Sequence, residues 1–167
     1  LRYRAPVEGA PRVCGVDLAI STRDGADYTA IVVLERAPDG SLTVVDVARA
    51  RVTFADALHL IEQVARRAGA EAIAVEDVGY QRAVVEELLR RTSFDVRAIR
   101  PHGDKVARFA PVEARYQHGL LFHNRDMPGL NEFEAELLAF PVGEHDDQVD
   151  ALSLAYHALD AGVGVYL

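Results

Sequence analysis

The hydrophobic pattern in the first third of the chain is that of short β-strands separated by turns. Apolar runs rich in valine and other β-branched residues indicate strands, and clusters of serine, aspartate and glycine between them indicate turns. The strands are predicted over residues 12–19, 28–36 and 41–52, with turns at 21–27 and 37–40. Consecutive strands joined by short turns predict an antiparallel meander.

Beyond residue 52 the hydrophobic period changes to that of amphipathic helices alternating with short strands. Residues 53–69 place apolar side chains at helical spacing and end at Gly69, a frequent helix stop. Pro111 is expected to start, kink or break the helix predicted over 104–119. The other segments are strands over 70–77, 94–101 and 120–123 and helices over 82–92, 129–141 and 145–162. The order β-β-β-α-β-α-β-α-β-α-α predicts a mixed sheet with helices packed on it.

Length and composition narrow the class of protein. The 167 residues suit a single domain over 12–167, and the proline-punctuated residues 1–11 are predicted to be a linker cut from a longer protein. Cys14 is the only cysteine, so no internal disulfide can form. No apolar run is long enough to span a membrane. The net charge of -8 argues against a nucleic-acid coat protein and suits a protein that gathers carboxylates around metal ions.

Acidic residues fall at the ends of two predicted strands and at the start of the last helix. Asp17 ends the first strand and Glu76 ends the fourth, and ligands in open α/β sheets collect at the carboxyl ends of strands. If these strands are parallel neighbours, the two carboxylates lie side by side. Because each helical residue advances by about 100°, Asp146, Asp147 and Asp150 share one side of their helix, away from its apolar face.

Each acid also has an ordinary structural interpretation. Asp17 could be a turn residue, Glu76 could cap the next helix, and Asp146 or Asp147 could be an N-cap, but a cap does not account for Asp150. Carboxylates gathered in one place repel one another unless cations neutralise them. Oxygen-only ligands select Mg²⁺ or Mn²⁺, and two such ions can promote phosphodiester hydrolysis by activating a water and stabilising the leaving oxygen.

Three motifs then resemble a known family. The segments "GVDLA…GADYTAIVVL", "AVEDVGYQRAVVEELL" and "HDDQVDALSLA", in this order and spacing, are similar to the C-terminal nuclease domain of phage large terminase subunits. The resemblance runs from about Val13 to about Leu159. It implies an α/β fold of the ribonuclease H-like type, with a three-strand antiparallel meander plus parallel strands. It also implies a metal-dependent endonuclease that uses two Mg²⁺ or Mn²⁺ ions to cut concatemeric double-stranded viral DNA during genome packaging.

The resemblance also assigns residues and partners. The metal ligands it implies are the five acids already named, of which all but Asp150 would be catalytic. The resemblance does not choose between Asp146 and Asp147 as the essential ligand, and we predict Asp147. His145 and Asp77 are possible supporting residues. His145 could also be a metal ligand or, as we favour from the residues alone, a surface residue, and Asp77 could be a helix cap. The implied partners are DNA, a separate ATPase domain, the small terminase subunit and the portal, with no membrane, in the cytoplasm of an infected bacterial host. The chain has no GxxxxGK[ST] phosphate-binding loop, so it corresponds to the nuclease half alone.

Basic residues suggest where DNA would lie. Lys105, Arg108 and Arg115 share the helix predicted over 104–119 and are candidate contacts to the DNA backbone, although a solvated helix face explains them equally well. Weak, salt-dependent binding with little sequence preference is expected of this chain.

Three other interpretations stay open. A junction resolvase, transposase or integrase uses a similar acid cluster, and a preference for branched or linear substrates would separate these enzymes from a terminase. "CGVDLAIST" resembles the first phosphate-binding loop of actin-like ATPases and sugar kinases, but that fold needs a second related domain and a glycine-rich adenosine site. A non-catalytic scaffold that retains the acids is the third interpretation.

Overall fold

The computed structural model describes residues 1–19, 28–79, 81–100 and 103–161. In that part of the chain the elements follow the predicted order. The strands are β1 (Arg12–Asp17), β2 (Thr29–Arg36), β3 (Leu42–Ala50), β4 (Ala72–Glu76), β5 (Asp95–Ile99) and β6 (Leu121–His123). The helices are α1 (Phe54–Arg67), α2 (Gln81–Arg91), α3 (Lys105–Gln117), α4 (Leu130–Ala139) and α5 (Asp147–Ala161). The turn predicted at 21–27 and the end predicted for the last helix at Gly162 lie outside the described residues.

The strands form one mixed sheet in the order β5-β4-β1-β2-β3-β6. The first three strands pair antiparallel, which confirms the predicted meander. β4 adds to β1 in parallel and β5 adds to β4 in parallel, while β6 pairs in parallel with β3 at the other side. The predicted mixed sheet flanked by helices is therefore confirmed.

Helices cover both faces of the sheet, and the central strands are buried throughout. Side chains alternate between the faces along β1, so that Val13 belongs to one hydrophobic cluster and Cys14 to the other. The first cluster is completed by α3, α4 and α5, and the second by α1 and α2. Burial on both sides explains why β1, β2 and β4 read as continuous apolar runs instead of alternating ones.

The first eleven residues, predicted to be a linker, lie along the sheet. Tyr3 forms a parallel bridge with His123, and the Arg4 guanidinium donates to the Thr43 hydroxyl at 2.6 Å. The Val7 amide donates to the fully buried carboxylate of Glu35, which also pairs with Arg12 at 2.8 Å. Residues 1–11 thus supply a donor to a carboxylate of β2 that is shielded from water.

Pro111 neither starts nor ends a helix. α3 begins at Lys105, where the Asp104 side chain accepts from the Ala107 amide, and it continues through Pro111 to Gln117.

Within the described residues, no helix combines the length and apolar character needed to cross a membrane.

Candidate active site

The first two acids lie side by side at one edge of the sheet. β1 and β4 are parallel neighbours, as predicted, and Val16 pairs with Val75 at the last matched position. Asp17 and Glu76 each follow one residue later, so both carboxyl groups leave the sheet at the same edge. This places two acids together that are distant in sequence.

Helix α5 brings the remaining acids to that edge. Its first turn holds Asp147 and Asp150, and Asp146 immediately precedes it, with the Asp146 carbonyl accepting from the Asp150 amide. The helix lies directly on β1 at Gly15. A methyl group added there would stand about 2.5 Å from the Ala155 amide nitrogen, which only glycine avoids.

A cavity of about 800 Å³ opens at this edge of the sheet. It lies between the ends of β1 and β4, the N-terminal half of α3 and the start of α5. Asp17, Glu76, Asp146, Asp147 and Asp150 all line it, and so do His145, Lys105 and Arg108.

Asp17 carries the clearest electrostatic signature of the cluster. Burial and the neighbouring carboxylates of Asp150, Asp147 and Glu76 raise the pKa of its carboxyl group from 3.8 to about 8, while Lys105 opposes the change. Burial and the three neighbouring carboxylates thus both disfavour the charged form of Asp17, and a bound cation would relieve this. A carboxyl group of this kind in an open cavity is typical of a functional site.

Two cationic side chains of α3 contact the α5 acids. The Lys105 ammonium group lies 2.7 Å from Asp146 Oδ1 and 2.8 Å from Asp150 Oδ2, and the Arg108 guanidinium lies 3.5 Å from Asp150 Oδ1. Partial burial alone would lower the pKa of Lys105, but hydrogen bonds to the two carboxylates outweigh burial and raise it. Residues predicted to contact DNA are thus paired with the acids in this structure.

The sequence matches one protein family along most of its length. The model of the terminase RNaseH-like domain covers residues 14–159. The chain belongs to this family. None of the curated protein sequences compared with the chain matches it.

Solved terminase structures share the fold of this family member. The large terminase nuclease of thermophilic phage G20c with bound magnesium has a TM-score of 0.68 at 18% identity, covering 93% of this chain and 84% of that one. The human cytomegalovirus terminase nuclease domain has a TM-score of 0.66 at 16% identity, covering 94% and 89%. The yeast mitochondrial Holliday junction resolvase Ydc2 has a TM-score of 0.58 at 14% identity, covering 90% and 79%. These likenesses establish the ribonuclease H-like fold.

The donor set of the cavity fits hard divalent cations. Its acids supply oxygen ligands only, which is the preference of Mg²⁺ and Mn²⁺. Among the residues that the structure describes, no group of at least three acidic, histidine or cysteine side chains has the geometry to hold a metal ion as it stands. The Lys105 ammonium contacts two of the carboxylates, which shows that they accept a shared cation.

A buried glutamate anchors the start of α5. Glu136 of α4 accepts from the Gln148 amide at 2.6 Å and from its side-chain amide at 2.7 Å, and it pairs with Arg49 at 2.9 Å. Its charge near the N-terminus of α5 is also favourable for the helix dipole. Glu136 therefore fixes the turn that carries Asp147.

Of the two predicted supporting residues and the predicted DNA contact Arg115, only His145 lines the cavity. Asp77 pairs with Arg82 at 2.8 Å and Arg100 at 3.2 Å, and it does not line the cavity. His145 lines the cavity and packs at right angles to the ring of Tyr28, with the ring centroids 5.4 Å apart. Arg115, on a later turn of α3, is not among the cavity residues.

Several residues that shape the site were not singled out in the sequence. Glu144 lines the cavity, and Glu136 and Gly15 position α5. Gly15 carried a usable signal, because a glycine inside a buried strand often marks the close approach of another backbone. Glu136 had no such signal in the sequence, because it is one of several glutamates in a segment that looks like an exposed helix face.

Proposed function

We propose that this chain is a divalent-metal-dependent endonuclease that cuts double-stranded viral DNA concatemers during genome packaging. The observation that carries the proposal is the position of Asp17, whose carboxyl group interacts with carboxylates from β4 and from the first turn of α5 on an open cavity. Membership of the terminase family supports the choice of reaction and substrate.

Asp17, Glu76 and Asp147 are the acids we assign to the centre of the site, with Asp150 beside them. Asp17 would be the central ligand, because its carboxyl group is buried and the carboxylates of Glu76, Asp147 and Asp150 all act on it. When bound, two Mg²⁺ or Mn²⁺ ions would supply a water nucleophile and stabilise the leaving oxygen of the phosphodiester.

Of the two consecutive acids, we favour Asp147 as the essential ligand. Asp147 is buried and acts on Asp17, whereas the Asp146 carboxylate is about one-third exposed and is turned towards Lys105. Asp146 and Asp150 would complete the ligand set, and His145 would form part of the wall around it.

Contacts within the chain hold the carboxylates of α5 in a fixed position relative to Asp17. Glu136 holds the first turn of α5, and the contact at Gly15 fixes that helix against β1. The carboxylates therefore stay in register with Asp17 when substrate enters, and such positioning is a large part of catalysis by a metal-dependent site.

The partners follow from the family. The chain would act on DNA delivered by a terminase ATPase domain, with the small terminase subunit and the portal, in the cytoplasm of an infected bacterial cell. DNA-backbone contacts are proposed for Lys105, Arg108 and Arg115, all on α3.

Plasmid cleavage tests the proposal. Supercoiled DNA would be incubated with the chain and Mg²⁺, Mn²⁺, Ca²⁺ or a chelator, and nicked and linear products would be measured. We expect cleavage with Mg²⁺ or Mn²⁺ only, and its loss in Asp17→Asn. Asp77→Asn is the matched control, because Asp77 follows Glu76 directly but does not line the cavity and pairs with Arg82 and Arg100. Cleavage that survives Asp17→Asn would refute the assignment.

A second substrate distinguishes the resolvase alternative. The fold is shared with the yeast resolvase Ydc2, and fold alone does not choose the substrate. A linear duplex and a four-way junction of the same strands would be compared at equal concentration. Comparable or faster cutting of the linear duplex supports a terminase, and symmetrical cutting confined to the junction would support a resolvase.

A further inference from the structure

The chain contains a single lysine, and it lies in the acidic cavity. Every other residue among the 18 lysines and arginines is an arginine. The one compact ammonium group is that of Lys105, at the start of α3, and it reaches across to the acids at the start of α5.

Lys105 joins two carboxylates in the way that a small cation would. Its Nζ atom lies 2.7 Å from Asp146 Oδ1 and 2.8 Å from Asp150 Oδ2, so that one charge is shared between two acids. The side chain is about half exposed, at 48%, so it can leave without disturbing the core. Arg108, at 3.5 Å, makes a longer contact to Asp150 alone.

The residue type matters at this position. An ammonium group is a compact point charge on a flexible stem, whereas a guanidinium group is a planar fork that binds best in the plane of one carboxylate. A point charge between two acids neutralises repulsion that would otherwise push them apart. The same ammonium group contacts the carboxylate oxygen atoms that an incoming divalent ion would need as ligands.

We propose that Lys105 is a positioning residue that occupies the cation position between Asp146 and Asp150 until DNA arrives. This inference rests on the proposed function. In the DNA-free protein, Lys105 keeps the α5 acids in place and competes with divalent ions for them. Phosphates of the bound DNA then offer the ammonium group an alternative partner, which frees the two carboxylates.

The proposal makes metal binding and DNA binding mutually reinforcing. If DNA removes the competitor and so raises the affinity for metal, metal must raise the affinity for DNA by the same factor. Cleavage competence would then be assembled only on the substrate. A protein without the ammonium group would bind metal well in the absence of DNA.

Calorimetric titration of the DNA-free chain with Mn²⁺ tests this directly. We expect Lys105→Met to bind Mn²⁺ about tenfold more tightly than the wild type, because a charge-assisted competitor has been removed. Lys105→Arg keeps the positive charge but loses the compact ammonium group between the two acids, so its Mn²⁺ affinity should lie between those of the wild type and Lys105→Met. Arg90→Met is the control, because it removes one positive charge from an exposed position of α2 outside the cavity, and its Mn²⁺ affinity should stay within about twofold of the wild type.

A second measurement repeats the titration with a saturating, uncleavable phosphorothioate duplex. The duplex should raise Mn²⁺ affinity in the wild type and have much less effect in Lys105→Met. Equal or weaker Mn²⁺ binding by Lys105→Met without DNA would overturn the proposal. The proposal would also be overturned if neither the wild type nor Lys105→Met binds Mn²⁺. These failures are separate from failure of the proposed function, which the dependence of plasmid cleavage on Mn²⁺ and Asp17 decides in the wild type.

Discussion

Replacing Gly15 with alanine should separate β1 from α5 and disable the site. The added methyl group would overlap the Ala151 carbonyl oxygen and lie 2.5 Å from the Ala155 amide nitrogen. Both atoms belong to the backbone of α5, so no side chain can rotate away. Overpacking of a buried core costs about 1–3 kcal/mol, and a contact with rigid backbone falls at the upper end of that range.

The consequence for the acids follows from the same contact. Gly15 lies two residues before Asp17, and Ala151 follows Asp150 directly, so relief of the overlap must move the α5 acids relative to Asp17. A displacement of about 1 Å at a catalytic group can cost roughly 100-fold in rate. The substitution should therefore reduce cleavage far more than the loss of folded protein explains.

Two assays measure these effects. In thermal unfolding, a loss of about 3 kcal/mol in the free energy of unfolding should lower the Tm by roughly 6–12 °C for a domain of this size. Plasmid cleavage would be measured well below the transition, where the protein is folded. Gly143→Ala is the comparison, because its methyl group would meet the Ala139 side chain at 3.0 Å but no backbone atom closer than 3.4 Å, so its loss of stability should be smaller than that of Gly15→Ala. Wild-type stability in Gly15→Ala, or full activity in a destabilised protein, would refute the reasoning.

Other residues of the site give further tests. The raised pKa of Asp17, about 8, means that the protonated carboxyl stabilises the metal-free fold at low pH and that this contribution is lost as pH rises from roughly 4 through 8. Asp17→Asn should therefore melt above the wild type near pH 9 with chelator present, and the difference should vanish near pH 4. Glu136→Ala leaves Arg49 and the Gln148 amide without their carboxylate and should cost about 3 kcal/mol in denaturant unfolding, whereas Glu132→Ala, exposed on the same helix, should change stability by less than about 0.5 kcal/mol. Asp147→Asn should abolish plasmid cleavage and Asp146→Asn should leave a measurable rate; the reverse order would exchange their assigned roles.

The fold could be predicted from the sequence because its local signals agree with one another. Continuous apolar strands, polar turns and helical spacing gave the element order, and the carboxyl-end rule brought Asp17 and Glu76 to one edge of the sheet. Pro111 was the exception: the predicted helix start or break there is wrong, because α3 runs from Lys105 through Pro111 to Gln117.

Side-chain contacts between distant elements could not be predicted in the same way. Lys105 and Asp146 are 41 positions apart, and their pairing depends on how α3 packs beside α5 on one face of the sheet. The sequence shows Lys105 only as a cation on a helix, for which DNA and an internal acid are equally good partners. Glu136 is likewise buried, with its carboxylate accepting from the Gln148 amide at the start of α5. That contact also joins two elements whose packing the sequence does not show.

The charge of the cavity explains how an acidic protein could still act on DNA. Among the described residues, six carboxylates and three cationic side chains line the cavity, a formal excess of three negative charges that would repel a phosphate. Two divalent ions would bring four positive charges and reverse that sign. The net charge of -8 is that of the chain alone and does not include the positive charge that bound ions would add. On the proposed function, affinity for DNA should depend on divalent metal more steeply than on any single arginine, because the ions change the sign of the surface that meets the scissile phosphate.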